Sequence, residues 1–480
     1  MAIALVGLAG LLLRLWIRAS PLGRVDSDEA VGGLIARHLL RGEWTTFFWG
    51  QSYGGTIESI PIAGVMWLTG SDSLALTTVP IIEAMFVSVL MYAIVAVSLS
   101  RAQATLAAMA TWLFPPCAVI YNSRAMLFYQ PGLICGLLAV LWAERIRAKS
   151  SRASLNWFLL GLSVGLGWWA TFQSVFLTFP AVAFALWFGR PRLSQVMLAA
   201  SAFCLGAAPW IVYALRYDWL PLRQLGGGDG RGYAHHVWSV LTVGLPMLFG
   251  LREPISERWL IWQVSGMAVL LLVGSVAIAL LRRQSASWVA HPLIVGMVLF
   301  VPLQSLSING GYVGSGRYYI FLLPGVAYLF AVAGTRPWFR ASLVMLMLAG
   351  SVTTVSRLRA TANAPGSMGE LQLALEQANV GHVYADYWVA YRLAWLSEER
   401  IIASPSIVDR YPEWTDLVRA ADRVAYVLYL PLGPDRASAQ QLICGLEAMG
   451  VPFVQQLVGE YLVVVPERNV PFETLRNGCA

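Results

Sequence analysis

The feature that most constrains this chain is a succession of apolar runs, each near the length that crosses a bilayer, parted by short basic segments. The runs lie at residues 2–17, 74–98, 102–121, 125–143, 155–170, 172–188, 195–215, 259–281, 289–308, 317–333 and 338–356. A membrane-crossing helix needs about 20 such residues, with allowance for tilt. Eleven spans are therefore expected, the two short central ones being the least well delimited. A chain 58% hydrophobic and 12% charged cannot wrap a soluble core, because soluble domains are about a quarter charged. The expected fold class is a polytopic α-helical membrane protein, with membrane lipids around it and no nucleic-acid partner.

Charge between the runs sets the sidedness. With the N-terminus in the cytoplasm, the inner loops hold Arg101, the stretch "ERIRAKSSR" at 144–152, "RPR" at 190–192, Arg282 with Arg283, and Arg336 with Arg340. That is eleven basic residues against the single acid Glu144, the bias expected of cytoplasmic loops. An odd number of spans then puts the C-terminal tail outside. The first run has no basic flank before it and is interrupted by Arg14, so it reads as a retained anchor.

Three outer segments are large: a first loop at 18–73, a second at 216–258, and the tail. Residues 1–356 carry 23 basic and 12 acidic side chains, whereas 357–480 carry 10 and 14, so the membrane part and the tail face different environments. In the tail, helical patterns at 367–379, 387–397, 411–421 and 435–449 alternate with apolar runs at 382–386, 400–404, 423–430 and 460–465. This rhythm predicts a small α/β domain. No glycine-rich phosphate-binding sequence opens any of its helices. Asp386, Tyr387 and Arg392 read there as packing or docking positions. Cys117, Cys135, Cys204, Cys444 and Cys479 form no paired motif, which argues against a zinc site or a disulfide framework.

Candidate chemistry gathers in the first outer loop. In "RVDSDEAVGGLIARHLLRGEW" at 24–44, Val31, Leu34, Ile35 and Leu39 share one helical face, as in a short helix lying in the membrane interface. Asp26, Asp28 and Glu29 crowd its N-terminal end. Acids there can simply cap the helix and complement its dipole; three carboxylates beside a membrane can also supply a general base or a cation site. Phe47, Phe48 and Trp49 read as an interfacial belt. They lead into a turn with Gln51 and Tyr53, after which Glu58 enters an apolar stretch where a carboxylate needs a partner. Glu83, inside the second run, poses the same question.

The pair "DE" at 28–29, leading into "IARHLLRGE" at 35–43, resembles the first outer loop of the GT-C membrane glycosyltransferases, in the branch of the protein O-mannosyltransferases and the bacterial aminoarabinose transferase of lipid A. The wider string "SDEAVGGLIARHLLRGEW…FFWGQSYGGTIE" at 27–58, the "RYYIFLLPG" start of a late span at 317–325 and the outer "VYADYWVAYRL" at 383–393 extend the likeness over nearly the whole chain. The resemblance implies a polyprenyl-phosphate sugar as donor, Asp28 as general base with Glu29 beside it, and a lipid, glycan or protein acceptor. It also implies a bacterial inner membrane with the tail on its outer side. Asp26 and Asp28 form a D-x-D, which other GT-C branches use to hold a divalent cation. The branch nearest this loop is regarded as metal-independent, so no cofactor is required and a cation at Asp26 and Asp28 stays open.

Such a donor leaves as a phosphate that needs cations rather than a proton. On the outer face Arg124, and Arg317 with Tyr318 at the start of a span, are candidates, with Gly310, Gly311, Gly314 and Gly316 nearby to permit close approach. The "GGGDGRGYAHHVW" stretch at 226–238 adds Arg231, His235 and His236, as a solvated loop or a lid over substrate. Two other readings compete: a lipid-linked sugar flippase, and a non-catalytic glycan-binding membrane protein. Acids clustered in outer loops, and the lack of paired repeats, favour the enzyme over the transporter.

Overall fold

The computed structural model describes residues 2–125, 127–149, 152–224, 231–253, 256–260, 274, 278, 289–306, 315–361, 368–431, 433–471 and 474. The chain divides into two compact units, one of Met1–Arg24 with Ser52–Ala362 and one of Val25–Gln51 with Asn363–Ala480. The first outer loop is thereby shared between them.

The first unit is helical. Among the described residues, four helices are long and apolar enough to cross a membrane: Asp72–Val95, Phe172–Gly189, Gly316–Ala333 and Pro337–Ala360. The pair Leu193–Gly206 and Ala208–Arg216, bent by 66°, makes a fifth if taken together. A count of eleven is not confirmed by these helices. The run at 259–281 lies almost wholly outside the described residues. The run at 102–121 breaks into Arg101–Leu113 and Pro116–Tyr121 because Pro115 and Pro116 lack the N–H groups a continuous helix needs. The run at 125–143 becomes helical only from Tyr129 and continues to Arg147.

Small residues let these helices approach. A Cβ on Gly161 would lie 2.0 Å from the Ala199 carbonyl oxygen, and one on Gly165 would lie 2.2 Å from that of Phe203. The helices Ala153–Ala170 and Leu193–Gly206 thus meet backbone to backbone, the packing that serves where hydrocarbon supplies no hydrophobic drive. Arg14, in the helix Ala2–Arg18, is fully buried. Its guanidinium donates to the Trp112 carbonyl at 2.9 Å and lies 3.8 Å from the Trp112 ring, so this interruption of the first run serves the helix packing.

The second unit is a five-stranded sheet of β1 (His382–Ala385), β2 (Ile402–Pro405), β3 (Ala425–Tyr429), β4 (Phe453–Val458) and β5 (Tyr461–Pro466), in the order β2-β1-β3-β5-β4. β1 pairs in parallel with β2 and β3; β5 runs antiparallel to β3 and β4. The alternation read from the sequence is present, with β4 added. Val454 and Leu457 in β4 are exposed, so this edge strand lacks the apolar-in, polar-out pattern that marks the others. Helices Met368–Gln377 and Tyr387–Leu396 pack Leu371, Leu375, Val389 and Leu393 against Val383, Val427 and Val463 on one face. On the other face Val418, Leu442 and Leu446 meet Tyr384, Tyr426 and Val464.

Helix Ser27–Leu40 belongs to this unit. Its apolar residues Ala30, Val31, Leu34 and Ile35 are buried in protein, which corrects the expectation of a helix lying in the membrane interface. Phe47, Phe48 and Trp49 are buried as well. Trp49 stacks on Tyr411 at 4.2 Å and meets Trp414 edge-on, so these aromatics serve the α/β core and are not a belt.

Candidate functional site

The three acids at the start of helix Ser27–Leu40 take separate tasks. Asp26 is the N-cap and accepts from the Glu29 N–H at 2.9 Å, the local bond that ends a loop and starts a helix. Glu29 is buried and Asp28 half-buried. Asp28 accepts a hydrogen bond from the Tyr387 hydroxyl, while the Ser27 hydroxyl donates to the Tyr387 carbonyl at 2.6 Å. Two successive residues of the loop therefore grip one tyrosine.

Tyr387 opens the helix that follows β1, and Asp386 caps that helix by accepting from the Trp388 N–H at 2.8 Å. The charge of Arg410 acts on the tyrosine oxygen, and its guanidinium lies 5.6 Å from the Tyr387 ring. Arg410 donates through Nη1 to Gln51 at 2.9 Å and sits over the Phe48 ring at 5.3 Å. Gly50 has φ +67, and a Cβ there would lie 2.6 Å from the Arg410 Cα, so this turn requires glycine twice over. Burial, then the charge of Asp28, raises the Tyr387 phenol well above its ordinary value, which keeps it a donor. Tyr391, raised chiefly by burial, accepts from the Arg410 backbone N–H at 2.7 Å.

Asp26 and Asp28 thus have different partners, the Glu29 amide and Tyr387. Among the described residues, no group of three or more His, Cys, Asp or Glu is placed to hold a metal ion.

In the helical unit a second group forms. The charges of Arg124 and Arg317 both act on Tyr121. Arg317 lies 5.8 Å from the Tyr129 ring and 5.6 Å from that of Tyr318. Tyr318 meets Tyr129 edge-on at 5.7 Å, and Tyr53 reaches Phe128, whose ring contacts Tyr129 at 4.4 Å. Three residues singled out in the sequence, Tyr53, Arg317 and Tyr318, therefore gather around Tyr129, and Arg124 is linked to Arg317 through Tyr121. Gly310, Gly311 and Gly314 lie outside the described residues; a Cβ on Gly316 would lie 2.1 Å from the Cys117 sulfur.

Glu58, buried, precedes helix Ser59–Thr69 and lies close to Glu83 of helix Asp72–Val95. Of the second-loop candidates, His236 is buried with Nδ1 3.0 Å from the Ser305 carbonyl, while His235 and Arg231 are exposed. Residues 225–230 lie outside the described residues. Nothing in the sequence pointed to Arg410, and Tyr387 read as a packing residue; only the fold brings either to Asp28.

A scan of protein-family models and a search of curated proteins find no match to this chain. Solved structures do match. ArnT from Cupriavidus metallidurans bound to undecaprenyl phosphate superimposes with a TM-score of 0.63 at 11% identity, over 96% of this chain and 97% of that one. ArnT in the apo state gives 0.59 at 12% identity, over 92% and 93% of the two chains. The Archaeoglobus fulgidus oligosaccharyltransferase in the apo form gives 0.53 at 10% identity, over 92% of this chain and 70% of its own. The chain has the fold of the GT-C membrane glycosyltransferases.

Proposed function

We propose that this protein is a membrane glycosyltransferase that moves a sugar from a polyprenyl-phosphate donor to a hydroxyl of a lipid, glycan or protein, with Asp28 as general base. The observation that carries the reading is the placement of Asp28: half-buried at a helix start, gripped by Tyr387, in a chain of GT-C fold. The acceptor O–H gives its proton to Asp28 as its oxygen bonds to the anomeric carbon. The bond from that carbon to phosphate oxygen breaks, polyprenyl phosphate departs, and the anomeric centre inverts. A carboxylate is suited to the first task because an alcohol is a poor nucleophile until its proton is accepted.

Arg124 and Arg317, with Tyr53 and Tyr318 beside them, are suited to the departing phosphate, whose charge needs fixed cations. Asp28 acts without a metal in this reading, since Asp26 is engaged in capping. Cys444 is disulfide-bonded, which supports an oxidising location for the α/β unit. We place that unit on the outer face of a bacterial inner membrane and the N-terminus inside.

The test is release of undecaprenyl phosphate by the purified chain in proteoliposomes, supplied with radiolabelled undecaprenyl-phosphate hexoses and pentoses and a membrane lipid extract. Asp28→Asn should lose activity by about 10²- to 10⁴-fold, and a chelator should leave wild-type turnover unchanged. Full activity in Asp28→Asn would sink the mechanism. The buried Glu58 close to Glu83 is the observation that favours a carrier, because ionisable groups inside a membrane mark ion and proton pathways in transporters. Proton-dependent movement of a labelled lipid-linked sugar across the liposome, unaffected by Asp28→Asn, would support that reading instead.

A further inference from the structure

We infer that Tyr387 of the C-terminal sheet unit is the positioning residue of the Asp28 base, and that Arg410 in turn holds Tyr387. The inference rests on the transferase reading above and extends it to residues contributed by the tail.

The geometry is more specific than packing requires. The Tyr387 backbone is fixed from two sides, by the Asp386 cap and by the Ser27 hydroxyl on its carbonyl at 2.6 Å. It is 4% exposed, its hydroxyl donates to the Asp28 carboxylate, and the Arg410 guanidinium lies 5.6 Å from its ring, close enough for its charge to act on the hydroxyl. Arg410 is locked by Gln51, by the Phe48 ring and by the close turn at Gly50. A cation beside a phenol makes its O–H a better donor, so the arginine strengthens the bond that Tyr387 gives to Asp28. Among the described residues, the titratable and charged groups near Asp28 include Asp26 and Glu29 on its own helix, Tyr387 on the next, and Arg410 in the segment after β2.

Topology points to the same place. β1 lies between β2 and β3, and its two crossover helices pack on opposite faces. Ligands of open α/β sheets bind outside the carboxyl end of a strand where the order reverses in this way. Asp386 and Tyr387 directly follow that end of β1, and Arg410 follows the same end of β2. The tail therefore meets the loop acid at the position where such a sheet admits a substrate.

The effect is separable from stability. Removing the donor frees the carboxylate plane, and a misplaced base lowers the rate. In the proteoliposome assay, with whichever donor the wild type uses, Tyr387→Phe should lower kcat by about tenfold to a hundredfold, the scale of lost supporting hydrogen bonds. KM should hold, since the bond positions the base and does not bind substrate. Arg410→Gln should act in the same direction and Arg410→Lys should recover part of the loss. Neither change should cost further activity in an Asp28→Asn background. Replacing Tyr387 by 3-fluorotyrosine keeps the shape and the donor, so it should hold kcat near wild type, and Arg410→Gln carries the test if Tyr387→Phe fails to fold. A wild-type kcat in the folded Tyr387→Phe or Arg410→Gln variant, with Asp28→Asn inactive, would overturn the inference and leave the transferase reading intact. Activity in Asp28→Asn would remove the reading itself.

Discussion

The Arg37 guanidinium lies 3.9 Å from the Trp395 ring and donates to the Trp395 carbonyl at 2.9 Å. One turn earlier on the same helix, a Cβ on Gly33 would lie 2.4 Å from that indole. The ring thus presses on bare backbone at one residue and on a cation at the next, which holds the loop helix against Tyr387–Leu396. Gly33→Val should destabilise the α/β unit by about 1–3 kcal/mol, as overpacking does. Arg37→Gln should cost about 0.5–2 kcal/mol through the lost cation–π contact. Thermal unfolding of the full chain, followed by protease cleavage within residues 25–51, checks both.

The far end of the same helix depends on pH. Burial alone would raise the Glu399 carboxyl, but hydrogen bonds from His38 and Arg41 outweigh it and hold the group below its ordinary range. His38 Nε2 and Arg41 Nη1 both lie 2.9 Å from Glu399 Oε2. A depressed carboxylate stabilises the fold above its unfolded pKa, near 4.3, and that contribution disappears as pH falls through the lower folded value. Glu399→Gln should therefore cost about 0.5–1 kcal/mol at neutral pH, discounted for solvent screening, and nothing at the acidic extreme. Unfolding midpoints of wild type and variant should converge below about pH 4.

Asp435 runs the opposite way. Burial first, opposed by the Tyr429 N–H bond and aided by the charge of Asp386, pushes this carboxyl up to about 6. A raised carboxyl stabilises the fold fully below its unfolded pKa, and the contribution is lost as pH rises through the folded value. Asp435→Asn keeps an acceptor for the Tyr429 N–H, which now reaches Asp435 Oδ2 at 2.8 Å. The variant should match wild type near pH 4 and exceed it by about 1 kcal/mol above pH 7, after the same screening discount. Midpoints measured from pH 4 to 8 check the crossover.

The parts legible in sequence are those where a short range carries the signal. Period and apolar content place the tail's helices and four of its five strands, and the crowded acids mark the start of a helix at Asp26. What the sequence hides is where an apolar face is buried: Val31, Leu34 and Ile35 suit a membrane interface as well as a protein core, because both offer an apolar surface. The partners of Asp28 are hidden for a different reason. Tyr387 is 359 positions away, and no local pattern distinguishes a tyrosine that packs from one that donates to a carboxylate. Conversely Arg14, conspicuous in an apolar run, turns out to be buried between helices, where the Trp112 carbonyl and indole receive it.

Arg317 and Arg124 offer the most direct test of phosphate recognition, because product binding needs neither an acceptor nor a known sugar. Arg124 and Arg317 come from separate segments, 193 positions apart in sequence, yet both charges act on Tyr121. A phosphate is matched to the planar donor forks of two such arginines. Arg317→Gln should weaken binding of undecaprenyl phosphate by about tenfold or more, the value of one hydrogen bond to a charged group. Arg124→Gln should do likewise. Arg317→Lys should recover only part of the loss, since a point charge cannot present the same fork. Titration of the full chain in nanodiscs with undecaprenyl phosphate, with undecaprenol as the uncharged control, separates this from tail binding. Equal affinity for phosphate and alcohol in the wild type would show that these arginines do not read the phosphate.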